Sequence, residues 1–189
     1  MRIVIAGMKC SGKSTLARSL SELLDIPCVE TDDLLEDIYE EETGEALTCR
    51  QIWDRHGEET FREYEEQAVQ RVSRMHWRIL SLGGSTFLIP EHRRMLYEDS
   101  VLVWLNPSVD TLWERICEAG LPPFLKGPGK KEEFERRCSL ASEILTPLAH
   151  VTCDNTDRDP DEVAKEVAEQ VGEELHCWMR SPSSLGDVI

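Results

Sequence analysis

Gly7-Met-Lys-Cys-Ser11-Gly12-Lys13-Ser14 carries the spacing G-x-x-x-x-G-K-[ST]. Glycines at the first and sixth places let backbone N–H groups close around phosphate oxygens, and a helix opening directly afterwards adds partial positive charge. Lys13 is then expected to reach the β- and γ-phosphates of ATP, and the Ser14 hydroxyl to ligate Mg²⁺. Gly7, Ser11, Gly12 and Thr15 complete the expected nucleotide cradle. Lys9, inside the loop, reads as a solvated side chain rather than a catalytic one. The motif speaks for the phosphoryl donor and not for the acceptor, because kinases, hydrolases, switches and motors all use it. Neither an Asn-Lys-x-Asp string nor an Asp-x-x-Gly string after a strand is present. At 189 residues, small-molecule phosphoryl transfer is favoured over a switch or motor.

The elements that must hold this loop are legible around it. Arg2 to Ala6 is an apolar, β-branched run ending at a glycine, as in a buried strand. Ser14 to Leu24 follows with a helical stripe of leucines. Pro27 to Glu30, Ile79 to Leu82, Val101 to Leu105 and His150 to Cys153 read as four further strands. Helices are expected from near Thr31 to Glu42, from Glu58 to Arg78, over Pro90 to Tyr97, from Asn106-Pro107 to Glu118, and from Lys131 to Leu145. A final helix starts at Asp159, with Glu162 three residues on as in a capping box. Strands alternating with helices imply parallel βαβ units, hence a three-layer α/β/α fold on a mostly parallel five-stranded sheet. A single domain is expected over residues 1–175. Residues 119–131, rich in Gly, Pro and Lys, are expected to form a lid, and 176–189 a flexible tail.

Composition narrows the partners. There are 37 acidic residues against 21 Lys and Arg, a formal charge of -16. That argues against nucleic acid and against an anionic membrane surface. No apolar run approaches the roughly 20 residues of a membrane span, and no signal peptide is visible. Seven scattered cysteines without metal-ligand spacing read as reduced thiols in a cytoplasm, and no protein-ligated metal site is expected.

Three further strings fall in order along the chain. They are Glu30-Thr31-Asp32 after the second strand, Phe61-Arg62-Glu63-Tyr64-Glu65 in the long helix, and Gly83-Gly84 at a strand end. With the phosphate loop, Leu125 to Gly129 and Asp154 to Pro160, they resemble the shikimate kinases from about Met1 to Val171. The resemblance implies the P-loop kinase fold and ATP- and Mg²⁺-dependent phosphorylation of shikimate to shikimate 3-phosphate. It implies that Lys13 and Asp32 are catalytic, Asp32 contacting the acceptor hydroxyls and assisting their deprotonation. It implies that Arg62 pairs with the substrate carboxylate, Glu65 orients Arg62, and Gly83 and Gly84 bring backbone close to the substrate. Arg115 takes the place of an arginine packed on adenine, and Glu30 that of an aspartate holding Mg²⁺ through water. The partners implied are ATP and a small hydroxyl acceptor, with the chain a monomer.

The chain departs from that pattern at three places. Ser85 stands for the family's third glycine, and Pro122-Pro123 for its lid Arg-Pro pair. The family's second carboxylate-binding arginine falls near Ala141, and no arginine lies between Ala141 and Pro147. Lys126, Lys130 and Lys131 are the lid cations that can compensate. Asp32 as a mere helix cap and Arg62 as a solvated charge are the plain structural alternatives. From Glu30 to Glu45 there are nine acidic residues and no basic one, a poor field for an anionic acceptor. Two competing readings follow: a kinase of a sugar, nucleoside or amino alcohol, and a nucleotide-binding regulator without catalysis.

Overall fold

The computed structural model of the chain describes residues 1–125 and 127–180. Five strands, β1 (Arg2–Ala6), β2 (Cys28–Glu30), β3 (Ile79–Ser81), β4 (Ser100–Leu105) and β5 (Val151–Cys153), form one sheet in the order β2-β3-β1-β4-β5. Every pairing is parallel, with Ile3 opposite both Ile79 and Val101. The apolar runs of β1 and β4 follow from burial on both faces. Ile3, Ile5, Val101, Val103 and Leu105 pack on one side against α1 (Lys13–Leu24) and α7 (Pro160–Arg180). Val4, Ala6, Leu102 and Trp104 pack on the other, against α3 (Cys49–Ser73), α5 (Val109–Glu118) and α6 (Lys130–Leu145).

A third cluster joins α2 (Thr31–Thr43) to α3 through Leu35, Ile38, Ile52 and Ala68. The short α4 (Pro90–Tyr97) follows a 3₁₀ turn at Thr86–Leu88. Strand order reverses at β1, so a crevice opens beyond its carboxyl end, where ligands bind in open α/β sheets.

Four boundaries differ from the sequence reading. The helix expected from Glu58 begins at Cys49, capped by Thr48 and Gln51 in a reciprocal capping box and bent at Gly57, where φ is 86°. It also ends at Ser73, because Trp77 takes a φ of 51° as the chain turns toward β3. The fifth helix starts at Val109, with the Ser108 side chain rather than Asn106-Pro107 as its cap. At the carboxyl end Val163, Val167 and Val171 continue one buried stripe, and α7 runs on to Arg180, through 176–180 of the segment read as tail. Residues 181–189 of that tail, and Lys126 of the lid, lie outside the described residues.

Candidate active site

The phosphate loop is shaped by close contacts at the end of β1. A Cβ on Gly7 would fall 2.6 Å from the Leu105 carbonyl and 2.7 Å from Ser11 Oγ, so only glycine lets the loop leave the sheet there. Cys10 and Gly12 turn it through φ values of 65° and 99°, and the Ser11 N–H donates to Met8 O at 3.1 Å. Asn155, after β5, clamps the loop by donating from Nδ2 to Ser11 O at 2.9 Å. Helix α1 opens at Lys13 with no side-chain cap, and buried Ser11 Oγ has no hydrogen-bond partner among the described residues. Uncapped N–H groups and an orphaned hydroxyl at one concavity suit a polyphosphate.

Lys13 is buried and folds back over the loop, Nζ donating to Met8 O at 2.9 Å. Loss of solvent lowers its pKa, and the nearby Asp32, Cys10 and Glu30 oppose that shift. Ser14 Oγ donates to Glu30 Oε2 at 2.9 Å. These are hard oxygen donors of the kind Mg²⁺ takes beside phosphates and water. Among the described residues no group of three metal-ligating side chains is gathered. Arg115 donates to Asn155 O at 3.4 Å, which sets it beside the clamp on the phosphate loop.

The acceptor side is built by α2, α3 and the turn after β3. Buried Thr31 receives the Gly83 N–H at 2.9 Å and donates to Ser81 O at 3.3 Å, which fixes the start of α2 to the end of β3. Asp32 lies inside the first turn of α2, whose cap position is Glu30, so the helix-cap reading of Asp32 does not hold. A Cβ on Gly83 would be 2.8 Å from Asp32 Oδ1, and one on Gly84 2.8 Å from the Lys9 backbone nitrogen. Asp32 is open to the cavity, yet the walls around it strip enough water to raise its pKa, with Lys13 pulling the other way.

The bend at Gly57 sets the Trp53 ring 5.3 Å from Phe61, and the Arg62 guanidinium lies 5.7 and 5.6 Å from those two rings. Arg62 donates to Glu65 Oε2 at 2.5 Å, to Ser85 Oγ at 3.2 Å and to Glu58 Oε1 at 3.5 Å. Arg62 is therefore held in place on the acceptor side and is not a loose surface charge.

One cavity of about 410 Å³ gathers Lys13, Ser14, Glu30, Asp32, Arg62, Gly83 and Gly84. Gly7, Ser11, Gly12, Thr15 and Arg115 are not on its wall; the first four belong to the phosphate loop and the start of α1, and the last sits beside Asn155, which clamps that loop. The sequence reading missed three cations on that wall, Arg50, which pairs with Asp54, and the neighbours Arg136 and Arg137. The two neighbours donate to Glu133, at 2.8 and 2.7 Å, and together hold its carboxyl down to about 2. The Arg137 guanidinium stacks 4.5 Å from the Phe124 ring, and Phe124 lies 6.5 Å from Trp53. A signal was present: the Glu133-x-x-Arg136-Arg137 spacing places both arginines one turn from the glutamate, just after the lid.

The family model for shikimate kinase matches residues 9–172. The chain belongs to the shikimate kinase family. A shikimate kinase of Cereibacter sphaeroides is 34% identical over 130 residues, which span 69% of this chain and 62% of that protein. Another, from Symbiobacterium thermophilum, is 30% identical over 175 residues, 92% of this chain and 97% of that one. The fold is shared with a shikimate kinase from Acinetobacter baumannii solved in complex with shikimate, at a TM-score of 0.79 and 21% identity, covering 92% of this chain and 93% of that one.

The residues at the three expected departures each have a place. Ser85 holds Arg62, and Pro122 and Pro123 line the cavity without charge. Ala141 faces the core, while Arg137 reaches the cavity from one turn earlier on α6. Lys131 is tied to Asp110 at 3.2 Å and lies off the cavity wall, as Lys130 does.

Proposed function

We propose that the protein transfers the γ-phosphoryl group of ATP to a hydroxyl of shikimate, giving shikimate 3-phosphate. The observation that carries this reading is a single cavity holding Asp32 between the phosphate-loop Lys13 and the aromatic-backed Arg62. Asp32 accepts the proton of the attacking hydroxyl. That oxygen bonds to the γ-phosphorus as the bond to the β–γ bridging oxygen breaks, and ADP leaves. Lys13 neutralises charge on the phosphates, so catalysis rests on positioning and electrostatics. Ser14, with Glu30 through water, would hold Mg²⁺, which supplies charge neutralisation across the phosphates. Arg115 would pack on the adenine from the rim.

The acceptor's carboxylate is met by two cationic groups of unequal strength. Arg62 already serves Glu65 and Glu58, two carboxylates on one guanidinium. Arg136 and Arg137 share the single Glu133 and leave a spare positive charge on the wall. Arg137 thus restores an attraction that the acidic stretch of α2 opposes. The same double engagement of Arg62 favours a second reading, an acceptor with no carboxylate, such as a polyol. Initial rates with shikimate, gluconate and neutral polyols under Mg²⁺-ATP separate the two. Turnover of shikimate alone supports the first, and turnover of a neutral polyol without shikimate establishes the second.

The reading makes the protein a cytoplasmic monomer acting on two small molecules. The cytoplasmic part of it is supported by the thiols of Cys10, Cys28, Cys49, Cys117, Cys138 and Cys153, which form no disulfide among the described residues.

A further inference from the structure

Two lysines flank the point where the phosphate loop meets the acceptor cavity, and only one has a partner. Lys13 is bonded to Met8 O. Among the described residues no hydrogen bond or ion pair holds the ammonium of Lys9, which lines the same cavity as Asp32, Lys13 and Gly84.

The backbone beneath Lys9 is pinned. A Cβ on Gly84 would lie 2.8 Å from Lys9 N, 3.3 Å from its Cα and 3.4 Å from its Cβ, so the phosphate loop and the turn after β3 touch at this residue. The next residue, Cys10, turns away at a φ of 65°, and Ser11 closes the turn on Met8. The Lys9 side chain therefore starts at the seam between the donor half of the site and the acceptor half. Its charge is felt on both sides, drawing down the pKa of Asp32 and that of Lys13. The described lid residues on the cavity wall, Pro122, Pro123 and Phe124, bring no cation to this seam.

We propose that Lys9 is a catalytic residue whose ammonium contacts the transferring phosphoryl group from the acceptor side, opposite Lys13. In phosphoryl transfer, charge spreads over the equatorial oxygens between the attacking and leaving oxygens, where a second cation is most effective. A lysine suits the task because its ammonium is a point charge on a flexible stem and can follow the group across. No bond to Lys9 forms and its proton stays on the nitrogen. The inference rests on the reading of the cavity as a phosphoryl-transfer site, and it holds whichever hydroxyl compound is the acceptor.

The test compares wild type, Lys9→Met and Lys9→Arg by calorimetry with Mg²⁺-ADP and with the β,γ-imido analogue of Mg²⁺-ATP, followed by turnover. A charge-assisted contact to the γ-group predicts that Lys9→Met binds the ATP analogue about 10-fold more weakly while ADP binding changes less than about 2-fold. Turnover falls about 10²-fold, and Lys9→Arg recovers most of both. Equal affinities of wild type and Lys9→Met for the analogue return Lys9 to a solvated side chain and overturn the proposal. So does equal weakening of ADP and analogue, which marks a role in loop shape. If wild type binds both nucleotides but leaves shikimate untouched, the shikimate assignment falls, and the ratio of analogue to ADP affinity still decides Lys9.

Discussion

Arg62 and Glu65 stand one helical turn apart on α3, with a guanidinium nitrogen 2.5 Å from Glu65 Oε2. The other Glu65 oxygen accepts from Thr86 Oγ1 at 2.7 Å, and the carboxylate is buried. A buried acid anchored on the turn after β3 therefore aims an arginine at the cavity. Glu65→Ala leaves the Thr86 hydroxyl unpaired and Arg62 with only Ser85 and the more distant Glu58. It is expected to cost about 2–3 kcal/mol, less than a fully buried pair because Arg62 stays partly in solvent. In a chain of this length that lowers Tm by roughly 4–12 °C. Thermal unfolding reads the stability loss, and a rise in acceptor KM with ATP KM unchanged reads the loss of aim.

Asp32 sets the pH dependence. Desolvation raises its pKa above the ordinary aspartate value of 3.8, and in the proposed reaction the ionised form accepts the hydroxyl proton. Log kcat/KM is therefore expected to fall as pH drops through that raised pKa, on an acid limb displaced upward from 3.8. Folding takes up a proton at this group between 3.8 and the folded value, so its charge weighs against the fold above that window and is relieved below it. Asp32→Asn abolishes the limb and lowers turnover by about 10²–10⁴-fold. A wild-type acid limb at 3.8 or below contradicts the assignment.

Gly83 and Gly84 are expected to fail differently. A methyl on Gly84 meets the Lys9 backbone at 2.8 Å, which cannot swing aside, so Gly84→Ala costs about 1–3 kcal/mol of stability as well as activity. A methyl on Gly83 meets the side chains of Thr86 and Asp32, which can rotate. Gly83→Ala should keep most of the stability and lose turnover because Asp32 is displaced. Paired melting curves and kcat values separate the two.

Arg137 carries the spare charge on the far wall. Arg137→Met is expected to raise the acceptor KM about 10-fold and leave ATP KM unchanged, as for one lost charge-assisted contact. A change confined to ATP KM places Arg137 with the nucleotide instead.

The phosphate loop and the two long strands were legible because their signals are local: a fixed spacing in one, runs of apolar residues in the other. The first arm of α3 was not, since Gly57 interrupts the periodicity between Trp53 and Phe61. The capping pair Thr48 and Gln51 was its one sequence trace. The end of the same helix was overrun because Val72, Met75 and Ile79 keep helical steps while the chain has already turned at Trp77. Asp32, Arg62 and the paired glycines were found through the family pattern, which also drew attention to Ala141 and away from Arg137 one turn earlier. Which turn of α6 meets the cavity depends on how Phe124 packs against Trp53 and Arg137, a contact between distant segments that no local pattern encodes. Lys9 is exposed, in line with its reading as a solvated side chain, but the spacing of the motif says nothing of Gly84 pressing on its backbone from another strand.

Transfer of phosphate from ATP to a shikimate hydroxyl at Asp32 is the step on which the proposed function stands. The most direct measurement is ³¹P NMR of the purified protein with Mg²⁺-ATP and millimolar shikimate, alongside Lys13→Ala and Asp32→Asn. A shikimate 3-phosphate resonance is expected to grow in step with ADP in the wild type and to be absent from both variants. A wild-type protein that binds ATP yet leaves shikimate unphosphorylated contradicts it.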